Sequence, residues 1–128
     1  MLLILVRHAH SDPGQPDELR PLSARGRDEA RTLGERLATE RPDLVLASPL
    51  LRARETAAAI AKAAGIELRV DERLAPGATA DDIVAAIEGA GETVVAVGHQ
   101  PDCSEIAAAL GGGERKFSPA AFAAIDLP

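Results

Sequence analysis

The sequence is nearly devoid of aromatic residues, with two Phe and no Trp or Tyr among 128 residues. A hydrophobic core must therefore be built from Leu, Ile, Val and Ala, whose small side chains favour close packing of helices onto a sheet. The length is typical of one domain and too short for two comfortable ones. We predict a single domain over residues 1–128.

Cysteine and long apolar runs are also scarce. Cys103 is the one cysteine, so no intrachain disulfide can form, which suits a reducing compartment. No stretch approaches the ~20 apolar residues of a membrane span. The apolar segment 1–6 ends at Arg7 and lacks the basic start and the length of a signal peptide. We expect a cytoplasmic protein.

An excess of positive charge is missing as well, because the net charge is −6. Proteins that bind nucleic acids or anionic membranes usually present a basic face that neutralises phosphates. We therefore predict neither nucleic acid nor membrane as a partner. Any site for an anionic ligand must be local.

The chain alternates between buried aliphatic runs and segments with helical spacing of apolar residues. This alternation predicts an α/β fold, a three-layer αβα sandwich with a mainly parallel central sheet. Four Pro and Gly residues make the segment 12–21 an irregular loop. The predicted strands are 2–6, 43–47, 66–70, 93–97 and 121–127. The first predicted helix follows Ser23 as its cap, and the second has Ser48 as its cap and Pro49 as its first residue. The third predicted helix begins near Asp81, and the fourth begins before Ile106.

Unusual polar residues follow three of the predicted strands: Arg7 and His8, then Ser48 and Arg52, then His99. In an open α/β sheet, ligands bind at the carboxyl ends of the strands. Arginine offers a planar charged fork that matches phosphate oxygens. A neutral histidine between such forks can attack phosphorus, and a second histidine can stabilise the charge that develops. The pattern predicts a phosphatase that forms a phosphohistidine intermediate on His8.

A metal site is the alternative suggested by the spacing His8-x-His10-x-Asp12. Metallo-hydrolases with this spacing continue with Asp-His, whereas Pro13 follows here. Only His99 remains as a distant nitrogen ligand, so a closed ligand set is hard to assemble. We predict no metal and no other cofactor, and we interpret His10 as a loop residue near the rim of the site.

Four segments of the chain resemble the histidine phosphatase superfamily, and within it the short SixA-type phosphohistidine phosphatases. The resemblance covers nearly the whole chain. The segments are Leu-Val-Arg-His-Ala at 5–9, Arg-Pro-Leu-Ser-x-x-Gly at 20–26, Ser-Pro-Leu-Leu-Arg-Ala-Arg-Glu-Thr-Ala at 48–57 and Val-Gly-His-Gln-Pro at 97–101.

The resemblance implies His8 as the nucleophile, with Arg7, Arg52 and His99 completing the phosphate pocket. It also implies Arg20 as a further phosphate or substrate contact, and we assign Ser48 to substrate binding. SixA-type enzymes remove phosphate from histidine on signalling phosphotransfer domains, so a phosphohistidine protein is the expected partner. Ala9 follows the nucleophile where the family most often has glycine.

The general acid is the residue that the sequence identifies least well. Mutases and broad phosphatases of the superfamily carry a Glu or Asp in a sizeable segment after the third strand. Here that segment, 71–79, is short and Glu72 is its one plausible glutamate. A phosphorylated imidazole can be protonated on its own ring before it leaves, so weak acid catalysis favours a P–N bond. A broad phosphomonoesterase with Glu72 as acid and a phosphate-binding pseudoenzyme remain the alternatives.

Overall fold

The computed structural model describes all 128 residues and shows strands and helices that alternate along the chain. Short 3₁₀ turns occupy Asp17–Leu19 and Glu72–Leu74. The regular elements are β1 (Leu2–Arg7), α1 (Ala24–Ala38), β2 (Leu44–Ala47), α2 (Leu51–Ala64), β3 (Leu68–Val70), α3 (Ala80–Ile87), β4 (Thr93–Gly98), α4 (Asp102–Ala109) and β5 (Phe122–Asp126).

The five strands form one sheet in the order β3-β2-β4-β1-β5. Strands β1 to β4 pair in parallel, and β5 runs antiparallel to β1 at one edge. The inner strands are aliphatic along their length because a parallel sheet is covered on both faces. The predicted α/β fold with a mainly parallel sheet is confirmed.

Side chains of successive strand residues point to opposite faces of the sheet, and each face is covered by two helices. Ile4 and Val6 pack toward α1 and α2, in a cluster that includes Leu37 and Ile60. The alternate strand residues Leu3 and Leu5 pack toward α3 and α4, in a cluster with Ile83, Ile87 and Ile106. The predicted three-layer arrangement is therefore confirmed.

The register of the sheet brings three strand ends to the same level. Val6 and Ala47 both lie opposite Val97, and Arg7 lies opposite Gly98. Since β4 lies between β1 and β2, the residues that follow these three strands share one edge of the sheet. Neighbouring strands are ~4.8 Å apart, so side chains from all three can meet there.

Two local predictions are wrong. Ser48 does not cap α2, because the helix begins at Leu51 after Leu50, and the Ser48 hydroxyl is turned toward other partners. The loop 12–21 is not wholly irregular, because it contains the first 3₁₀ turn. Ser23 is a correct prediction: it caps α1 by accepting a hydrogen bond from the Gly26 N–H at 3.0 Å.

None of the helices combines the length and the apolar character that a membrane crossing requires.

Candidate active site

His8 lies one residue beyond β1, and its backbone fixes its position. Its N–H donates to the Gly98 carbonyl at 3.0 Å, which continues the pairing of β1 with β4. Its ring Nδ1 lies 2.7 Å from the carbonyl oxygen of Ala9. A carbonyl can only accept, so Nδ1 carries the ring proton. The lone pair of the neutral ring is therefore on Nε2, which is the nitrogen left to react.

The rings of His8 and His99 are neighbours, with centroids 5.3 Å apart and planes tilted by 60°. The pKa of His8 is lowered from 6.5 to about 4, chiefly by burial and in smaller part by the cations Arg52, Arg7 and Arg20, while the hydrogen bond to the Ala9 carbonyl acts in the opposite direction. Burial also lowers the pKa of His99 to about 4, with contributions from His8 and Arg52. Both rings are therefore neutral at physiological pH, which keeps the His8 lone pair free.

The guanidinium groups of Arg7 and Arg52 flank the two histidines and are held by main-chain oxygens. Arg7 Nη1 donates to the Phe117 carbonyl at 2.8 Å, and its Nε is buried without a partner. Arg52 is 7% exposed, and its Nη1 donates to the Asp17 carbonyl at 2.9 Å. Carbonyl bonds orient a guanidinium without neutralising it, so Arg7 keeps its full charge for an anion, whereas Arg52 also bonds to a carboxylate, that of Asp17.

Arg20 reaches the same region from the loop before α1, where it is hydrogen-bonded to the Asp17 carboxylate. Arg20 Nη1 donates to Asp17 Oδ1 at 2.9 Å, and Arg20 Nη2 donates to the Ser11 hydroxyl at 2.8 Å. The other oxygen of Asp17, Oδ2, accepts from Arg52 Nη2 at 3.2 Å. Asp17 thus bridges two of the predicted phosphate-binding arginines. Nothing in the local sequence pattern singled it out, because the bridge depends on how the loop folds back.

Ser48 is fully buried behind His99. Its hydroxyl lies 2.7 Å from His99 Nε2 and accepts a weaker bond from the Leu50 N–H at 3.2 Å. The other ring nitrogen of His99, Nδ1, is buried without a partner. The hydrogen bond with Ser48 is thus the one that orients the His99 ring.

Thr56 is a residue of the site that the sequence reasoning missed. It is fully buried in α2, where its hydroxyl donates to the Arg52 carbonyl at 2.8 Å. The same oxygen accepts the Ala9 N–H at 3.0 Å, so one side chain ties the residue after His8 to the helix of Arg52. Ala9 is fully buried and does not have a positive φ, so alanine is unstrained there. The available signal was the spacing of Thr56, one helical turn after Arg52.

The remaining predicted residues lie outside this cluster. Glu72 is exposed in the 3₁₀ turn after β3, and its side chain makes no hydrogen bond. Strand β3 is three positions from β1 in the sheet, a lateral separation of ~14 Å. His10 Nδ1 lies 2.6 Å from the Ser23 hydroxyl, at the start of α1. No three His, Cys, Asp or Glu side chains are grouped so that they could hold a metal ion.

The fold and the cluster of two histidines and three arginines agree with one protein class. Residues 3–76 match the model of the histidine phosphatase superfamily (branch 1), and the chain belongs to this superfamily.

Three individual proteins are similar to the chain in structure or in sequence. The structure of the protein histidine phosphatase SixA complexed with tungstate is 26% identical, covers 99% of this chain and 88% of that one, and superposes with a TM-score of 0.88. A putative phosphohistidine phosphatase SixA from Nakamurella multipartitia is 30% identical over 82% of this chain and 62% of that one, with a TM-score of 0.73. The chain is also 37% identical over 81 residues to phosphoserine phosphatase 1 of Hydrogenobacter thermophilus. This match covers 56% of the chain but only 36% of the relative.

Proposed function

We propose that the protein is a phosphatase in which His8 Nε2 attacks the phosphorus of the substrate. The Nε2–P bond forms as the bond from phosphorus to the leaving group breaks, and the leaving group departs with that electron pair. The His8 ring becomes cationic, and the Ala9 carbonyl that accepts the Nδ1 proton at 2.7 Å stabilises the positive charge. Water then attacks phosphorus, releases inorganic phosphate and returns His8 to its neutral form.

The other residues act on the phosphoryl group. Arg7 and Arg52 bind its oxygens through the N–H groups that are left free by their carbonyl bonds and, in Arg52, by the bond to the Asp17 carboxylate. Arg20 adds a third positive charge from the loop. His99 donates a hydrogen bond to a phosphoryl oxygen from Nδ1, the ring nitrogen that has no protein partner, as charge shifts during transfer. Ser48, being buried behind His99, orients that ring instead of contacting the substrate.

One observation carries this proposal: His8 is a neutral histidine at the end of β1, surrounded by arginines, with Nδ1 hydrogen-bonded to the Ala9 carbonyl and Nε2 free. The same site would bind phosphate in a pseudoenzyme, but a pseudoenzyme has no need of a nucleophile kept neutral by its surroundings. The match to a SixA structure that holds tungstate, a tetrahedral oxyanion, supports a phosphate site.

The substrate we propose is phosphohistidine in a protein. A P–N bond needs no protein acid if the leaving imidazole is already protonated on its ring. This matches the exposed side chain of Glu72, which bonds to none of the residues around His8. The likeness to two SixA proteins supports the same substrate class.

A small phosphomonoester is the second candidate. The relative with the highest sequence identity among those compared above is named a phosphoserine phosphatase. An alkoxide leaving group requires a proton donor, and Glu72 is the predicted one. If this candidate is right, replacing Glu72 by Gln should lower the hydrolysis of esters sharply.

The test compares hydrolysis of a phosphohistidine protein with that of a panel of phosphate monoesters. The enzymes are the wild type, His8→Ala as the blank and Arg31→Gln as a matched surface control, since Arg31 lies exposed on α1. We expect the wild type and the control to prefer phosphohistidine, and His8→Ala to be inactive. Retention of activity in His8→Ala would refute the proposed nucleophile, and a strong preference for esters would refute the proposed substrate.

A further inference from the structure

Asp17 is an acidic residue inside an otherwise cationic site. Its two carboxylate oxygens accept hydrogen bonds from Arg20 at 2.9 Å and from Arg52 at 3.2 Å. The side chain is 55% exposed, whereas Arg52 is buried. Asp17 therefore stands at the mouth of the site, between the buried arginine and solvent.

The Asp17 carboxylate is permanently charged at neutral pH. Hydrogen bonds from Arg20 and then Arg52 hold its pKa below the ordinary value of an aspartate. An ionised carboxylate has no proton to give to an alkoxide leaving group. It can instead accept a hydrogen bond from a group that carries both a proton and a positive charge.

The direction of phosphoryl transfer places the leaving group on the side of the phosphorus opposite to the nucleophile. His8 is anchored at the end of β1, so the leaving group faces outward, toward the mouth at which Asp17 stands. A phosphorylated imidazole that is protonated on its ring presents an N–H donor and a positive charge there. A phosphate ester presents an oxygen on which negative charge grows.

Resting on the proposed phosphatase function, we propose that Asp17 is a specificity-determining residue that favours phosphorylated imidazoles protonated on the ring, whose leaving group departs as neutral imidazole, over esters, whose leaving group departs as an alkoxide or phenoxide. Its position beside Arg20 and Arg52 lets it accept a hydrogen bond from the cationic ring of the bound P–N substrate, and repel the negative charge that grows on the leaving oxygen of an ester. The chemical class that this residue selects is the phosphoramidate, whose leaving group departs with a proton on nitrogen. The same contacts with two arginines keep Asp17 in place while the phosphoryl group binds.

The experiment uses two small substrates, phosphoimidazole and phenyl phosphate, so that recognition of a protein partner does not enter. The measured quantity is the ratio of kcat/KM for the P–N substrate to kcat/KM for the P–O substrate. The variants are Asp17→Asn, which keeps the shape and removes the charge, and Asp17→Glu, which restores the charge. Glu18→Gln is the matched control, because Glu18 is the exposed neighbour of Asp17 and makes no hydrogen bond.

We expect Asp17→Asn to lower the ratio about tenfold, the size of the interaction between two unit charges about 3 Å apart in water, because the Asp17 side chain is 55% exposed. Asp17→Glu should recover part of the ratio, and Glu18→Gln should leave it at the wild-type value. If Asp17→Asn lowers or raises both rates by the same factor, Asp17 is only a loop ion pair and the inference is wrong. An equal change of the ratio in Glu18→Gln would also overturn it.

The experiment distinguishes a failure of the proposed phosphatase function from a failure of the specificity role of Asp17. If the wild type hydrolyses neither substrate in a His8-dependent way, the proposed function fails. If it hydrolyses them and the ratio does not respond to Asp17→Asn, only the specificity role fails. Thermal unfolding of each variant shows whether the loop is still folded, and Asp17→Glu provides a second variant with the original charge.

Discussion

Acidification should destabilise this protein through the two histidines of its site. Their pKa values are lowered from 6.5 to about 4 in the folded chain, chiefly by burial. Between these two pH values, both histidines are protonated in the unfolded chain but mostly neutral in the folded chain. The free energy of unfolding therefore falls as the pH drops through this window, and the full stabilisation is present above 6.5.

The size of the effect follows from the shift. Lowering the pH from about 7.5 to about 5 costs about 2 kcal/mol for one histidine with this shift. Two such histidines would remove about 4 kcal/mol, a large share of the 5–15 kcal/mol typical of a folded domain. Carboxylates also respond to acid, so the contribution of one histidine must be isolated by removing it.

The assay is urea unfolding of the wild type and of His8→Asn at both pH values. Asparagine keeps a polar side chain near the Ala9 carbonyl but does not titrate. We expect the wild type to lose about 2 kcal/mol more than the variant on acidification. NMR titration of the imidazole signals, assigned with the His8→Asn and His99→Asn variants, gives the two pKa values directly.

A difference between the two unfolding free energies that does not change with pH would contradict a lowered pKa of His8. Such a result would mean that His8 titrates alike in the folded and unfolded chains. A His8 signal that titrates near 6.5 in the folded protein would lead to the same conclusion. In that case the nucleophile would be largely protonated in mild acid, and phosphorylation of His8 should fall away well above pH 4.

Three further predictions concern residues around His8. Arg52→Lys should lower kcat/KM about 10- to 100-fold, since lysine keeps the charge but loses the fork; steady-state kinetics with unchanged thermal unfolding checks this. Thr56→Val should destabilise the fold by about 1–3 kcal/mol in urea unfolding, because it leaves the buried Ala9 N–H without an acceptor, whereas an unchanged midpoint would contradict this role. Gly26→Ala should lower the free energy of unfolding by about 3 kcal/mol, because the new Cβ would lie 1.8 Å from the His10 carbonyl oxygen. This clash outweighs the gain of about 1 kcal/mol in helix propensity. A rise in the melting temperature would contradict the prediction and show that the loop can move.

The fold was predictable because its determinants are local and periodic. Each aliphatic run is short, bounded by turn residues and followed by a helical pattern, which leaves few arrangements other than a parallel sheet. The convergence of His8, Ser48 and His99 also followed, since the carboxyl ends of parallel strands meet at one edge. The roles of these residues in catalysis remain predictions.

The contacts inside the site were less predictable, because they join residues that are distant in the sequence. Ser48 followed by Pro49 has the pattern of a helix start, but its hydroxyl bonds to a histidine 51 residues away. Asp17 meets Arg52 across 35 residues. No local pattern encodes either pairing, because both depend on how loops pack once the sheet has formed.

The strand order also has a consequence for how the chain folds. Strand β1 pairs only with β4 and β5, which come from the last third of the sequence, and β4 fills the position between β1 and β2. A nascent chain that has emerged as far as α3 holds Arg7, His8 and Arg52 but has no partner for β1. Pairing between such distant segments raises the contact order and slows folding. During synthesis, the cluster around His8 can therefore assemble only after β4 has emerged.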